Sequence, residues 1–164
     1  MEVLVASRKN APSLNGVLPT PGATPSDEPA RVPFEDVLRR STTLVLSLPR
    51  NPETLNLLST PEFEIMSPHA VLVNIARGGI VNEEAIVKAL EEGQIAGYAT
   101  DVFDKEPAEG PEDSILLSEK TKGLNVTVSP HLAWFSQRTL MNLGQILKDT
   151  VEAYVEGKPI NVIV

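Results

Sequence analysis

The sequence predicts an α/β fold, a parallel sheet with helices on both faces. Two observations carry this. Short apolar runs rich in Val, Leu, Ile and Ala recur at 3–6, 43–48, 70–75, 96–102 and 126–128, each the length of a buried strand. Between the later runs lie segments whose apolar residues recur at helical spacing. Hydrophobic residues make up 41% of the chain but aromatics only 4%, so the core must be aliphatic.

Residues 3–6 open the chain as a strand. Residues 10–33 hold six prolines (12, 19, 21, 25, 29 and 33) with Gly16 and Gly22. Regular helix and central strand are excluded there, and a long surface loop is expected. Residues 34–38 form a short helix with Phe34, Val37 and Leu38 inward. Pro49 stops the strand at 43–48. Residues 54–58 and 61–66 read as short helices, the second with Pro61 in its first turn. Gly78 and Gly79 break the strand at 70–75. Asn82 caps a helix over 83–92, with Ala85, Ile86, Ala89 and Leu90 on one face and Gly93 as its stop. A loop rich in Pro, Gly and acids over 104–113 follows the strand at 96–102. Ser129 and Pro130 close the strand at 126–128. A long helix over 136–156 carries Leu140, Leu143, Ile146, Leu147, Val151 and Tyr154, and Gly157 ends it. Residues 158–164 form a β-prone tail, and the whole of 1–164 reads as one domain.

The 164 residues carry 14 Lys and Arg against 22 Asp and Glu, a net charge of -8. Nucleic-acid binding wants a basic face, so no such partner is expected. The absence of cysteine removes disulfides, thiolate metal sites and Cys nucleophiles, and it fits a reducing, cytoplasmic setting. No apolar run reaches the roughly 18 residues of a membrane span, so no membrane partner is expected. The acids at 104, 106, 109, 112 and 113 lack the ligand spacing of a calcium loop, and no metal site is predicted.

Parallel sheets gather their chemistry at the carboxyl ends of the strands. Ser7, Arg8 and Lys9 follow the first strand, Arg77 the third, Asp101 to Glu106 the fourth and His131 the fifth. The planar fork of Arg77 suits a carboxylate or a developing oxyanion. The plainer alternative pairs it with an acid of the next helix. Glu106, taken alone, is an acid in an acidic, solvated loop. His131 is an acid/base candidate at a strand end, although a lone histidine is more often structural. His69 sits in a turn and reads as surface.

Arg77, Glu106 and His131 lie in stretches that carry a family resemblance. VLVNIARGGIVNEEAIVKALEEGQIAGYATDVFDKEP (71–107) and VTVSPHLAWFS (126–136) carry it, with support from SLPRNPETLNLL (47–58) and EFEIMSPHAVLVNIARG (62–78). Together they resemble the cofactor-binding domain of the D-isomer-specific 2-hydroxyacid dehydrogenases, with a Rossmann-like sheet. The HLAW ending looks like the glycerate or hydroxypyruvate branch, or the related corepressor branch. The resemblance implies hydride transfer between a nicotinamide cofactor and a small 2-hydroxy or 2-keto acid. It places the substrate carboxylate on Arg77, the proton on His131 and the tuning of His131 on Glu106. It places the nicotinamide carboxamide on Asp101, with Pro49 and Ala76 also lining the cofactor and Trp134 walling the substrate pocket.

In the family an acid after the second strand usually bonds the ribose hydroxyls of NAD. Here that position is Ser7, followed by Arg8 and Lys9. Two cations favour a 2′-phosphate, so NADP is expected over NAD. The alternative leaves both cations as surface charges.

The resemblance also implies parts this sequence does not contain. No G-x-G-x-x-G occurs, and residue 1 aligns just before the second family strand, as an internal methionine would. The expectation is an N-terminally truncated domain with weakened cofactor binding. Losing four or five buried side chains forfeits roughly 1.5–3 kcal/mol each, a sum near a domain's ~5–15 kcal/mol. Something must fill the gap: residues 160–164, the loop 10–33, or a second copy. A homodimer or swapped oligomer is the favoured expectation. Two other functions compete. One is a nicotinamide-free acid/base catalyst (isomerase, dehydratase or cyclase) using His131, Glu106 and Arg77. The other is a non-catalytic assembly or binding module.

Overall fold

The computed structural model describes residues 2–10 and 31–162. Its strands are β1 (Val5–Ala6), β2 (Arg31–Val32), β3 (Thr43–Leu46), β4 (Val71–Asn74), β5 (Gly97–Thr100) and β6 (Val126–Val128). Its α-helices are α1 (Phe34–Arg40), α2 (Thr60–Ile65), α3 (Glu83–Glu91) and α4 (Gln137–Val155). Two short 3-10 turns, Ile115–Leu117 and Glu119–Thr121, join β5 to β6. The chain forms two compact units, Met1–Pro130 and His131–Val164, each described by itself, where the sequence predicts one domain.

In the first unit β3, β4, β5 and β6 form one parallel sheet in that order. Register sets Leu46 beside Asn74 and Asn74 beside Thr100. Side chains alternate across a strand, so Leu46, Leu72, Asn74, Tyr98 and Thr100 share one face. Leu46, Leu72 and Tyr98 join Leu38 of α1, Phe63 of α2 and Ile86 of α3 in one aliphatic core. Val45, on the other face, is 52% exposed.

Local chemistry fixes the helix ends. Asn82 accepts the Ala85 N–H at 2.9 Å and starts α3. Gly93, at φ 68°, stops it in the left-handed region. Ser59 and Glu62 form a capping box at α2, where the Glu62 carboxylate accepts the Ser59 N–H at 3.0 Å. Glu62 is buried, and Lys9 Nζ lies 2.7 Å from its other oxygen, so its charge is compensated.

Several expectations are corrected. Residues 54–58 are not helix: 54–56 form a turn and 58 a bridge. Asn51 accepts the N–H groups of Glu53 and Thr54, which drives a turn, and Asn56 adopts φ 50°. Leu58 then pairs with Val81 as an isolated parallel bridge. The expected loop 10–33 yields a strand at its end, where β2 pairs in parallel with β1. Pro33 follows β2 and so takes no place in its ladder; residues 11–30 lie outside the described residues. β1 and β2 form a separate two-stranded sheet instead of extending the main one.

The second unit is built on α4. Ser136 accepts the Thr139 N–H at 3.1 Å at its start, and Gly157, at φ 74°, marks its end. No residue of α4 is buried. Residues 160–162 of the expected β-prone tail are not strand, because Asn161, at φ 56°, turns back to donate to Thr150 of α4 at 3.0 Å. Residues 163 and 164 lie outside the described residues.

Candidate active site

The four parallel strands all end on one side, so their C-terminal loops gather there. β4 ends on Asn74, which is 1% exposed. Its Oδ1 accepts the Ala76 N–H at 3.1 Å, and its Nδ2 donates to the Arg77 carbonyl at 3.0 Å. The turn after β4 is therefore tied at both ends to one buried side chain. Arg77 leaves this turn exposed, with Nη1 donating to the Ala76 carbonyl at 2.7 Å. Among the described residues it pairs with no acid, so the alternative of an ion pair to the next helix is not realised. Arg77, Ala76, Ile75, Arg50 and Pro49 line a cleft of about 640 Å³ between the ends of β3 and β4. A hollow of similar size beside Glu84, Lys88 and Lys120 lies away from the strand tips and gathers no convergent chemistry.

The β5 loop closes against the β4 loop. A Cβ at Gly78 would overlap the carbonyl oxygen of Phe103. Phe103 in turn donates its N–H to Glu106 Oε1 at 3.0 Å. Gly78 is the neighbour of Arg77, so this contact brings the Arg77 turn and the Glu106 turn together. Glu106 itself is exposed. Asp101 is buried at the end of β5, where its Oδ1 accepts the Ser129 hydroxyl at 2.6 Å and its N–H donates to the Asn74 carbonyl at 3.0 Å. Arg50 and Asp104 approach within 3.5 Å beside Gly79, which adopts φ 76°. Asp104 also donates its N–H to Glu83 of α3 at 3.0 Å.

Tyr98 lies behind these loops in the core. Burial pushes its phenol up to about 12, against which the side chains of Thr100 and Asn74, its polar neighbours, act in the opposite direction. Thr100 Oγ1 donates to the Val102 carbonyl at 2.7 Å and so braces the start of the β5 loop.

At the end of β1, Ser7 donates its hydroxyl to the Val32 carbonyl at 3.1 Å. Lys9 is held by Glu62, which leaves Arg8 as the exposed cation without an ion-pair partner among the described residues. His131 and Trp134 belong to the second unit. His131 adopts φ 56° and is half-buried, and its carbonyl accepts the Trp134 indole N–H at 2.9 Å. The Trp134 and Phe135 rings meet edge-to-face at 5.5 Å. Among the described residues no group of three His, Cys, Asp or Glu is placed to hold a metal ion.

Sequence reasoning missed Arg50, Asn74 and Gly78. Asn74 left a signal, as the polar residue near the end of an otherwise apolar run. Arg50 also left one, directly after the Pro49 that stops a strand.

Residues 8–133 match the family described as D-isomer specific 2-hydroxyacid dehydrogenase, NAD binding domain. The chain belongs to this family. The glycerate dehydrogenase of Methylorubrum extorquens is 39% identical over 132 residues, covering 80% of this chain and 41% of that protein. The NAD-complexed D-isomer specific 2-hydroxyacid dehydrogenase of Lactobacillus delbrueckii ssp. bulgaricus superposes with a TM-score of 0.71 at 28% identity, over 82% of this chain and 43% of that one. An acyclic imino acid reductase in complex with NADPH and D-Arg gives a TM-score of 0.68 at 29% identity, over 82% and 41%. The chain thus spans about two fifths of these proteins. It has the Rossmann-like parallel sheet of the dehydrogenases' NAD-binding domain. The family is one of oxidoreductases, which favours the dehydrogenase reading over a nicotinamide-free isomerase or an assembly module. Among the described residues no helix is long and apolar enough to cross a membrane.

Proposed function

We propose that this chain binds a nicotinamide dinucleotide and serves hydride transfer between it and a small 2-hydroxy or 2-keto acid. The observation that carries the reading is Arg77: an exposed guanidinium with no acidic partner among the described residues, at a strand tip, in the cleft it shares with Pro49, Ile75 and Ala76. These residues fit the cofactor. Ile75 offers an exposed apolar surface for a flat ring beside a cation for an acid, and Asp101 is braced by Ser129 at the neighbouring tip. Pro49, Ile75, Ala76 and Asp101 would hold a nicotinamide, which would supply hydride chemistry at the substrate's C2.

The chain's own residues do the rest. Arg77 binds the substrate carboxylate through its fork and polarises the adjacent carbonyl. His131 gives its proton to the carbonyl oxygen, or takes it back in the oxidative direction. The family resemblance gives Glu106 the tuning of the histidine. The family resemblance gives Trp134 a place beside the substrate. At Ser7 and Arg8, an uncharged hydroxyl and a cation with no ion-pair partner among the described residues favour the 2′-phosphate of NADP over NAD. Lys9, committed to Glu62, contributes through the local field only.

The test is consumption of NADPH with glyoxylate or hydroxypyruvate. Arg77→Ala is expected to lower kcat/KM roughly 10- to 100-fold, the worth of a charged hydrogen bond. His131→Ala is expected to lower kcat by about 10²–10⁴. Turnover unchanged in both variants contradicts the reading.

A further inference from the structure

We infer that Asn74 is a positioning residue for Arg77, setting where the guanidinium meets a carboxylate without touching the ligand itself. This rests on the reading of Arg77 as the carboxylate receptor. Asn74 is polar, 1% exposed and placed at the end of a strand whose other residues are apolar. A buried carboxamide costs free energy unless its donor and acceptor are both used. Both are: Oδ1 takes the Ala76 N–H at 3.1 Å and Nδ2 gives to the Arg77 carbonyl at 3.0 Å, both in the turn that carries Arg77, and the carboxamide also hydrogen-bonds the Tyr98 phenol. The following peptide is held by Arg77 itself, whose Nη1 donates to the Ala76 carbonyl at 2.7 Å. Asn74 thus fixes the peptide on one side of the Ala76 Cα, and the guanidinium bonds to the peptide on the other side. One arm of the fork is thereby fixed and the rest is left facing the cleft.

Neither hydrogen bond is needed to close the sheet. The Asn74 main chain already pairs in register with Leu46 and Thr100. A carboxamide is required because one side chain must accept the Ala76 N–H and donate to the Arg77 carbonyl. Aspartate keeps the acceptor and loses the donor. Serine is too short to span both.

The experiment is a double-mutant cycle on the full chain, read as the dissociation constant for glyoxylate by NMR titration, with NADPH affinity measured in parallel. Asn74→Asp is made first. Asn74→Ser, smaller and uncharged, is made alongside, so the test stands if the buried carboxylate unfolds the chain. The expected result is that glyoxylate binding weakens about tenfold in the folded Asn74 variant, NADPH binding changes less than twofold, and the Asn74 effect vanishes in the Arg77→Ala background. A loss of the same factor with and without Arg77, or unchanged glyoxylate binding, overturns the inference while leaving Arg77 as receptor. Glyoxylate binding that survives Arg77→Ala in full overturns the reading of Arg77 and the inference with it.

Discussion

Glycine 78 shows what one missing Cβ permits. The turn carrying Arg77 and the loop carrying Glu106 approach so closely there that a methyl group would occupy the Phe103 carbonyl oxygen. Backbone gives way less readily than the end of a flexible side chain. Gly78→Ala is therefore expected to cost at least about 1–3 kcal/mol, read as a lower urea midpoint with an unchanged m-value. Unchanged stability would mean the two loops are not in contact. Sequence spacing alone suggests that Gly78 frees the backbone to turn, but not what it turns against, because Phe103 is 25 residues on and meets it only through β4–β5 pairing. The strand tip that carries Arg77 was legible because the aliphatic run at 70–75 already marks a strand, whereas Asp101 was read inside the run at 96–102 and lies just past the end of β5. Lys9 was legible as a cation but not as a paired one. Its partner, Glu62, is buried, which only packing reveals.

At the scale of elements, the well-read ones were those with both a periodic apolar pattern and an end signal. α3 has Asn82 and Gly93, and β4 has an unbroken aliphatic run. The misread ones lacked one or the other. Residues 54–58 have helical spacing but start from Asn51, whose side chain satisfies two N–H groups in a turn instead. β2 is two residues long, shorter than any pattern can announce, whereas the run at 3–6 did announce β1. The capping box on α2 gives a direct test. Ser59→Ala is expected to cost about 0.5–2 kcal/mol in denaturant unfolding, and no loss would contradict the capping assignment. β5 gives another. Tyr98 titrates from an ordinary 10.0 when unfolded to about 12 when folded. A raised pKa means the contribution is fully present below pH 10 and is lost as pH rises toward 12. Roughly 3 kcal/mol should disappear over that window. In Tyr98→Phe the decline over the same window should be shallower by that amount, and an equal decline in both proteins would show that the phenol is not buried as described.

For the whole molecule, the family's parallel sheet was legible because alternating strands and helices leave few other topologies. The division into Met1–Pro130 and His131–Val164 was not, since nothing in the composition changes at Pro130. β3 is the outer strand of its sheet, and Val45 on it is half exposed. Exposed edges invite pairing, and the expected homodimer or swapped oligomer should show twice the 17.7 kDa chain mass by light scattering at micromolar concentration. A single-chain mass would contradict it. The central claim is that these strand tips hold a nicotinamide dinucleotide with a bias set at Ser7 and Arg8. Fluorescence titration of the full chain with NADPH and with NADH tests it most directly. Saturable binding of both, tighter for NADPH and with the bias lost in Arg8→Ala, is the predicted result; no saturation with either, or tighter binding of NADH, would contradict it.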